Sequence, residues 1–330
     1  DCRHRPGTKT AVPATEFIRQ GFGQGAAAPC LHIYKGLPSR AFVRPLFHTL
    51  YWLAVKNPVM QALVRRELGA LGAQPWSAAV LDDFINGPCG SEYGITAGEK
   101  KALADQFRRI TQSIESGTAP LVHAVLAKEI LSLPPSLKGD VIECGVWKGA
   151  SAAALSLVCQ RTGRRLKVCD SFQGLPPDHP RPHVGLHTRV YGYYQEGMFH
   201  GDLEEVRNNI RTHGALDVCD FIPGFFAESL RGLNGPLVFA FLDVDLESST
   251  RDCLKALWPL LAEDGLIYSD DAGDLEVVRV YFDEAWWREH LHCPAPGFVG
   301  SGCGLPLSPS FSSLGYTRKL GAFREDAWKR

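Results

Sequence analysis

The chain carries no strong excess of charge of either sign. Its 35 Lys and Arg residues nearly balance 36 Asp and Glu residues, which gives a formal net charge of −1 over 330 residues. A balanced chain has no general electrostatic attraction to nucleic acid, so no nucleic-acid partner is predicted. Internal repeats and low-complexity tracts are also absent from the sequence. With 45% hydrophobic residues, the chain is predicted to be a soluble globular protein, long enough for one large domain with an appendage or for two domains.

The sequence lacks an uninterrupted apolar run of membrane-spanning length. Its longest apolar stretch, PLFHTLYWLAVKNPVMQALV, is broken by Lys56, Asn57 and Pro58. The polar start, DCRHRPGTKT, does not have the pattern of a signal peptide, although the missing Met leaves open a leader that was removed earlier. We therefore predict a cytoplasmic protein.

No pair among the ten cysteines has the C-x-x-C spacing that is typical of zinc and redox sites. A free cysteine packs as a small hydrophobic residue, and disulfides are rare in the cytosol. We interpret the cysteines inside apolar segments as reduced thiols of the core. These are Cys144, Cys159, Cys169, Cys219 and Cys253.

The N-terminal part differs in composition from the rest of the chain. Residues 1–36 lack periodicity, and 44–68 have a helical pattern interrupted by Asn57-Pro58. Segment 17–66 contains seven Lys and Arg residues but no Asp or Glu, which leaves two interpretations open. It is either a basic surface for a membrane or an anionic partner, or a helical extension packed on the main domain or on a second subunit. We favour the extension, expect a homo-oligomer, and assign residues 1–90 to an arm and helical extension. Segment 86–94 is interpreted as the linker to the domain that follows.

Residues 91–330 alternate between predicted strands and helices. Such alternation is typical of a doubly wound α/β fold, in which ligands bind at the carboxyl ends of parallel strands. The pattern places Glu143, Asp170, Asp243 and Asp270 on one edge of the sheet. The strands are predicted at 140–145, 166–170, 218–222, 237–243, before Asp270, and at 313–320, and the main helices at 97–115, 119–132, 149–162, 202–213, 249–262 and 274–290.

The stretch VIECGVWKGAS is predicted to form a strand, a turn and the start of a helix. Gly145 allows the backbone to approach a ligand closely, and Gly149 permits a tight entry into the helix. The dinucleotide fingerprint G-x-G-x-x-G is absent, which disfavours a nicotinamide oxidoreductase. The acidic Glu143 suits an ammonium group, as in S-adenosylmethionine, unless it only caps nearby amides. Asp170, 25 residues after Gly145, is placed to accept both hydroxyls of a ribose.

Two apolar strands end in aspartate pairs, Asp243 with Asp245 and Asp270 with Asp271. Carboxylates gathered without a cation repel one another and raise each other's pKa values. Magnesium prefers oxygen ligands in an octahedron and keeps open positions for substrate oxygens. The pattern therefore predicts a site for Mg²⁺ or another divalent cation. The structural alternative is that these aspartates only cap the following helix and turn.

The ordered motifs of residues 95 to about 325 resemble those of the macrocin O-methyltransferase family. These motifs are GDVIECGVWKGAS, CDSFQGLP, GDLEEVRNNI, FIPGFF, FLDVDLESST and YSDD. Members of this family are metal-dependent enzymes that use S-adenosylmethionine to methylate sugar hydroxyls of natural products. The resemblance implies a mostly parallel, seven-stranded, Rossmann-like sheet, here with an N-terminal helical extension. The chain departs from the family pattern at Val244, where Gly is usual, and this leaves the identity of the substrate open.

The resemblance also implies roles for individual residues. Asp243, Asp270 and Asp271 match the family's metal ligands, and Asp245 matches its general base. The remaining matches are to cofactor-binding positions. They are Glu143, Gly145, Val146, Trp147, Gly149 and Ser151 for the methionine part, and Asp170, Ser171 and Phe172 around the ribose.

The substrate is expected to be a small molecule, a glycoside or sugar diol. Segments 176–201 and 296–313 are predicted lids, because long loops at the ligand edge are often functional. Three histidines in the first segment are spaced by four residues, but Pro180 and Pro182 forbid a regular helix there, which argues against zinc. A catechol-like acceptor and a catalytically silent binding protein stay open as alternatives.

Overall fold

The computed structural model describes residues 75–177, 194–299 and 314–321. All of them belong to one of the two compact units into which the chain divides. The predicted helix at 44–68 and the basic segment 17–66 lie outside the described residues. The division of the chain at residue 90 stays a prediction.

The described residues contain a six-stranded sheet, which confirms the doubly wound α/β fold. The strand order is β3-β2-β1-β4-β5-β6, in which the first five strands are parallel and β6 runs antiparallel to β5. A seventh strand is not among the described residues, although Val299 forms an antiparallel bridge with Tyr316 of β6. The strands are β1 (Asp140–Cys144), β2 (Leu166–Asp170), β3 (Cys219–Pro223), β4 (Leu237–Leu242), β5 (Leu261–Ser269) and β6 (Gly315–Arg318).

Helices cover both faces of this sheet. Among the described residues they are α1 (Pro75–Asn86), α2 (Ala97–Ser113), α3 (Pro120–Ser132), α4 (Ala150–Thr162), α5 (Leu203–His213), α6 (Phe226–Ser229), α7 (Glu247–Leu257), α8 (Leu275–Val280) and α9 (Glu284–Leu291). The helix predicted at 274–290 is divided, because the Asp283 side chain accepts a hydrogen bond from the Trp286 amide and begins α9. No helix of the described residues is long and apolar enough to cross a membrane.

The central strand β4 is buried along its whole length. Its side chains alternate between two apolar clusters: Phe239 and Phe241 belong to one, and Ala240 and Leu242 to the other. Burial on both faces explains the continuous apolar run of this strand and is typical of a parallel sheet. It also leaves the carboxyl end of the strand as the first place where polar side chains can gather.

Segment 86–94, which was predicted to be a linker, is packed against the domain instead. The Lys100 amino group is almost completely buried and donates to the carbonyl oxygens of Gly87 (2.5 Å) and Cys89 (3.1 Å). The Gly90 amide donates to the carbonyl of Leu131 in α3 at 2.9 Å. The Lys100 amino group thus provides the hydrogen bonds that water would otherwise donate to the carbonyl oxygens of this turn.

The predicted core thiols are confirmed as free cysteines. Four of them are buried in the two apolar clusters, while Cys219 is partly exposed. Burial is the largest cause that raises the pKa of four of these thiols, whereas for Cys169 the hydrogen bond with Cys144 comes first and burial second. All five are therefore protonated and unreactive at neutral pH.

Candidate active site

The carboxyl ends of the four central strands meet at one edge of the sheet. The Gly145 amide donates to the Cys169 carbonyl at 3.0 Å, and the Asp243 amide to the Cys144 carbonyl at 2.9 Å. The Asp270 amide, which follows β5, donates to the Leu242 carbonyl of β4 at 2.9 Å. The residues that follow β1, β2, β4 and β5 are therefore neighbours in space, as the alternation of strands and helices predicted.

The loop after β1 depends on two glycines. Gly145 has φ 84°, and a Cβ atom placed there would lie 1.8 Å from the carbonyl oxygen of Asp243. Gly149 also has φ 84° and is the N-cap of α4, where a Cβ atom would lie 2.9 Å from Val206. Only glycine fits both the backbone angles and the space. The loop of the predicted cofactor site thus lies directly against the loop of the predicted metal site.

Asp170 holds this loop in place from the end of β2. One oxygen, Oδ2, accepts hydrogen bonds from the amides of Val146 (2.7 Å) and Trp147 (3.3 Å). The other oxygen accepts from the Phe172 amide at 2.7 Å. Burial raises the pKa of Asp170, and these backbone hydrogen bonds act in the opposite direction. Both carboxylate oxygens therefore have backbone partners, and the predicted contact with a ribose stays a prediction.

Glu143 is enclosed beneath the loop rather than exposed at its rim. Its side chain has no accessible surface, and Oε1 accepts a hydrogen bond from the Ser151 hydroxyl at the start of α4. The other oxygen, Oε2, has no hydrogen-bond partner. Burial raises the pKa of Glu143 to about 8, and the charge of Asp170 adds to this effect. The alternative in which Glu143 caps backbone amides is therefore not what the structure shows.

The second group of predicted residues lies after β4 and β5. Asp271 is buried, and its Oδ2 accepts from the amides of Val244 and Asp245 at 3.0 Å each. Asp243, Asp245 and Asp270 are partly exposed. One oxygen of Asp270, Oδ1, is buried and has no hydrogen-bond partner. The four aspartates thus lie together around the loop that joins β4 to α7, which we call the acidic cluster.

Burial and mutual repulsion dominate the electrostatics of the acidic cluster. Burial is the largest cause that raises the pKa of Asp243, followed by the charges of Asp270 and Asp245. The pKa of Asp245 is raised by burial and then by the charge of Asp271. Burial raises the pKa of Asp270 to about 7. Among the described residues, the charges that act most strongly on Asp243 and Asp245 belong to other carboxylates and disfavour the charged form of each.

The acidic cluster has the donor chemistry of a site for a hard divalent cation. Its ligand atoms are carboxylate oxygens, and the buried Asp270 Oδ1 lacks a partner that a cation would supply. Within the part of the chain that the structure describes, however, no three His, Cys, Asp or Glu side chains are already arranged around one metal position. The residues fit the cation chemically, but their side chains are not preassembled for it.

Two residues beside the acidic cluster were given no individual role in the sequence prediction, in which Tyr194 was only one of three tyrosines of the first lid, with Tyr191 and Tyr193, and Asp274 was not considered. The Tyr194 hydroxyl donates to Oδ2 of Asp274 at 3.0 Å. Burial raises the pKa of Tyr194, and the charge of Asp245 adds to this effect. Tyr194 belongs to the predicted lid 176–201, of which residues 178–193 lie outside the described residues, as do its three evenly spaced histidines. The Tyr-rich composition of that lid was the available signal. Most of the second predicted lid, 296–313, also lies outside the described residues.

Backbone strain is concentrated around this edge of the sheet. Six described residues other than glycine have positive φ angles, and four of them line the site. Non-glycine residues in this region cost free energy and are common at functional sites. The four are Trp147 (46°), Phe172 (55°), Phe199 (57°) and Asp245 (60°).

The family model for macrocin O-methyltransferase (TylF) matches residues 125–296, just over half of the chain. The match includes the loop after β1, the acidic cluster and Tyr194. The chain belongs to the macrocin O-methyltransferase family. The resemblance inferred from the sequence motifs is thereby confirmed.

Several curated relatives match part of the chain. A Streptomyces olivaceus protein, 8-demethyl-8-(2,3-dimethoxy-alpha-L-rhamnosyl)-tetracenomycin-C 4′-O-methyltransferase, is 37% identical over 145 residues, which are 42% of this chain and 55% of that protein. Demethyldecarbamoylnovobiocin O-methyltransferase from Streptomyces niveus is 30% identical over 141 residues, 41% of this chain and 53% of the relative. The chain thus spans about half the length of the curated relatives it matches.

Solved methyltransferase structures also align with the chain. The structure of the O-methyltransferase NovP aligns with a TM-score of 0.46 at 24% sequence identity. This alignment covers 60% of this chain and 77% of the NovP chain. The calicheamicin methyltransferase CalS11 gives a TM-score of 0.42 at 16% identity, with 67% and 92% covered. The strand order and register, rather than these scores, establish the fold of this chain.

Proposed function

We propose that this protein transfers a methyl group from S-adenosylmethionine to a hydroxyl group of a sugar or of a glycosylated small molecule. The observation that carries the proposal is the family match, because it includes both the glycine loop and the acidic cluster in one continuous segment. Curated relatives that match part of the chain are named as methyltransferases of natural products, one of them rhamnosylated. Family membership supports the reaction class, and the acceptor is inferred from the relatives' names.

The proposed cofactor site is the loop after β1 together with the end of β2. The turn residues Gly145, Val146 and Trp147 bring backbone close to the ligand, and Gly149 begins the helix beneath it. Ser171 and Phe172 follow Asp170 at the ribose side. Glu143 lies one layer deeper and bonds Ser151, and its pKa of about 8 leaves it mostly protonated at neutral pH in the cofactor-free protein. The ammonium group of a bound cofactor would favour the charged form of Glu143. This assignment is consistent with the strained backbone at Trp147 and Phe172.

The proposed metal ligands are Asp243, Asp270 and Asp271. When bound, Mg²⁺ or another divalent cation would lower the pKa of a coordinated hydroxyl group and so favour its deprotonation. The partnerless oxygen of Asp270 and the mutual repulsion within the acidic cluster support this assignment. Asp271 contributes in a second way, since its hydrogen bonds to the amides of Val244 and Asp245 fix the loop that carries the other acids.

We assign the role of general base to Asp245. An exposed Asp has a pKa of ~3.9 and is a weak base at neutral pH. Burial and the neighbouring carboxylate of Asp271 raise the pKa of Asp245 above that value, which makes it a better proton acceptor from an alcohol. Its side chain is partly exposed, so a substrate can reach it.

The proposal is tested by incubating the protein with S-adenosylmethionine, Mg²⁺ and a panel of rhamnosides, other glycosides and catechols. Mass spectrometry detects products that have gained one methyl group. Methylated glycosides support the proposal, whereas methylation of catechols alone would favour the non-sugar alternative. Calorimetry with S-adenosylmethionine and NAD, each with and without Mg²⁺, separates a methyltransferase from an oxidoreductase and from a silent binding protein.

We also propose a cellular location and an oligomeric state for the protein. A cytoplasmic location agrees with the biosynthetic reactions in the relatives' names. A homo-oligomer, and a partner or membrane contact through segment 17–66, rest on the sequence alone. Size-exclusion chromatography with light scattering would test for the homo-oligomer. Co-sedimentation with lipid vesicles would test for the membrane contact.

A further inference from the structure

Residues 194–201, which we call the cover segment, are joined to the loop after β2 by their backbone. The Gly197 amide donates to the Leu175 carbonyl at 3.0 Å, and the Leu175 amide donates to the Met198 carbonyl at 2.9 Å. A Cβ atom at Gly174 would lie 2.5 Å from the carbonyl oxygen of Gly197, so the two backbones are in close contact. The β2 side therefore holds the middle of the segment.

The cover segment also packs against the glycine loop that follows β1. A Cβ atom at Gly201 would lie 2.0 Å from the carbonyl oxygen of Trp147. The Phe199 ring makes an edge contact with the Trp147 ring, with 5.6 Å between the centroids and an angle of 79°. It makes a second edge contact with Tyr194 at 6.1 Å and 61°. Edge-to-face aromatic pairs at these distances are favourable and directional, so Phe199 links the glycine loop to the first residue of the segment.

The first residue of the segment reaches the β5 side of the site. The Tyr194 hydroxyl donates to Oδ2 of Asp274 at 3.0 Å. Asp274 lies in the turn after β5, where its amide donates to the Asp271 carbonyl at 2.9 Å. In the sheet, β4 lies between β1 and β5. A segment that contacts the loops after both β1 and β5 therefore passes the loop after β4, which carries Asp243 and Asp245.

The part of the cover segment next to Tyr194 is exposed. Gln195, Glu196 and Gly197 are all exposed to solvent. A Cβ atom at Gly197, which has φ 76°, would meet nothing within 4 Å. Exposed backbone with few packed neighbours opens locally at a low cost in free energy. The hydrogen bond from Tyr194 to Asp274, which we call the latch, ties this exposed part to the β5 side.

We infer that the cover segment is a strap over the site, that the latch keeps it closed, and that S-adenosylmethionine enters and S-adenosylhomocysteine leaves only after the latch has opened. The passage of the cofactor rests on the proposed function, whereas the strap and the latch rest on contacts of the described residues. A ligand that lies between the glycine loop and the acidic cluster is enclosed by the closed segment. Tyr194 and Asp274 contact neither the cofactor nor the reacting atoms in this assignment; they act by holding the segment in place.

The first test is Tyr194→Phe, which keeps the ring beside Phe199 and removes the hydroxyl of the latch. We expect the association and dissociation rate constants of S-adenosylhomocysteine both to rise by about 10-fold, the change that loss of one hydrogen bond to a carboxylate produces. The Kd should stay within about threefold, because opening precedes both entry and exit. Surface plasmon resonance on immobilised protein measures both rate constants. Unchanged rate constants would overturn the inference, and so would faster dissociation alone with a weakened Kd, which is the behaviour of an ordinary contact residue.

A double-mutant cycle shows whether Tyr194 and Asp274 act as one latch. Asp274→Ala removes the acceptor of the hydrogen bond, and it should leave α8 intact because the Asp274 side chain makes no capping hydrogen bond to that helix. The double variant should have the same two rate constants as either single variant. If the effects of the two substitutions multiply instead, they do not share a latch, and the inference is wrong.

The matched control is Tyr93→Phe, which also removes one hydrogen-bonded tyrosine hydroxyl. The Tyr93 hydroxyl donates to the Leu133 carbonyl at 2.7 Å and accepts from Arg164 at 3.0 Å. These partners precede β1 and β2, at the edge of the sheet opposite the site. Tyr93→Phe should lose stability but keep both rate constants. A change equal to that of Tyr194→Phe would show that general stability, rather than the latch, sets these rate constants.

These measurements separate the inference from the proposed function, because binding and release of S-adenosylhomocysteine require no methyl transfer. Faster exchange of this ligand in Tyr194→Phe, together with no methylated product from the wild type, would contradict the proposed function and support the strap. If the wild type binds neither S-adenosylmethionine nor S-adenosylhomocysteine, the passage of the cofactor fails with the proposed function, and hydrogen exchange of the ligand-free protein tests the latch. Tyr194→Phe should then speed exchange of the Gly197 amide by about 10-fold, whereas Tyr93→Phe should not. Equal protection of that amide in the wild type and in Tyr194→Phe would overturn the inference on its own.

Discussion

The same hydrogen-bond arrangement occurs twice at the carboxyl edge of the sheet, once on the β1–β2 side and once on the β4–β5 side. In each, one carboxylate oxygen of an aspartate accepts from two successive amides in the loop after the neighbouring strand, and the second amide belongs to a residue with positive φ. The two sets are Asp170 with Val146 and Trp147, and Asp271 with Val244 and Asp245.

The two sides differ in what surrounds the aspartate. On the β1–β2 side the second oxygen of Asp170 accepts from the Phe172 amide, and the nearby Glu143 accepts from Ser151. On the β4–β5 side, the charges that act on Asp271 are those of Asp243, Asp274 and Asp270. One side is thus supplied with donors, whereas the other gathers acids whose charges the described side chains do not offset.

This difference shows which part of the site is formed without a bound cofactor or cation. On the β1–β2 side both carboxylate oxygens of Asp170 have amide partners, so its loop is already shaped before a cofactor binds. The β4–β5 side has the same scaffold but unbalanced charge, and it becomes electrostatically favourable only with a cation. Four experiments test this difference between the two sides, beginning with the largest expected effect.

The largest effect is expected for Gly145→Ala, because the two sides touch at this residue. A Cβ atom would lie 1.8 Å from the Asp243 carbonyl oxygen at a φ of 84°. Backbone must move on both sides at once, so we expect a loss of at least about 4 kcal/mol in the free energy of unfolding, measured with urea. Gly163→Ala is the matched control: its φ is 68° with nothing within 4 Å, and it should cost only about 1–2 kcal/mol. Equal losses in the two variants would contradict the close contact.

The second prediction concerns Glu143 and pH. Its pKa in the folded protein is about 8, above the ordinary value of 4.5, so the folded state holds this proton more tightly than the unfolded state. The resulting stabilisation is complete below pH 4.5 and is lost as the pH rises through 8. Glu143→Gln should therefore match the wild type at pH 5 and exceed it at pH 8.5 by about 2–4 kcal/mol.

The measurement for Glu143 is urea unfolding of metal-free, cofactor-free protein at both pH values. The difference between the free energies of unfolding of Glu143→Gln and the wild type at each pH cancels the contributions of other titrating groups. Ser151→Ala is a useful companion, because the Ser151 hydrogen bond acts to lower the pKa of Glu143. Its loss should raise that pKa further and so extend the decline in stability to higher pH. A constant difference between Glu143→Gln and the wild type across this range would show that Glu143 is not buried as described.

The third prediction is that Mg²⁺ stabilises the wild type through the β4–β5 side. A ligand that binds only the folded state adds about 2.7 kcal/mol at a concentration of 100 Kd. Asp270→Asn should abolish this gain, because it removes one charge and replaces the oxygen that has no partner. Asp264→Asn changes an exposed aspartate near the start of β5 and should keep the gain. Thermal unfolding with Mg²⁺ and then with chelator measures it, and an equal Mg²⁺ response in Asp270→Asn would refute the assignment.

The sequence predicts the scaffold of this site better than its contacts. The strand ends, the two glycines and the aspartate pairs could be located because a parallel sheet brings all carboxyl ends to one edge. Enclosure of Glu143 was missed, since its position on β1 does not reveal that Ser151 faces it. Tyr194 was placed only within a lid, because the segment has no periodicity and its position depends on tertiary contacts. The break at Asp283 had a local signal, an aspartate three residues before Trp286, that the continuous pattern of 274–290 concealed.

The smallest effect separates the two matching aspartates directly. Asn can keep one oxygen for the paired amides, but its NH₂ group then faces whatever the second oxygen faced. In Asp170→Asn that neighbour is the Phe172 amide, another donor, so a buried hydrogen bond becomes a clash of donors. In Asp271→Asn the neighbours are carboxylates, and loss of one negative charge relieves repulsion. With chelator present, we expect Asp271→Asn to be more stable than Asp170→Asn by about 1–2 kcal/mol in urea unfolding. The reverse order would mean that the β4–β5 side is not the unbalanced one, and the case for a cation there would lose its electrostatic basis.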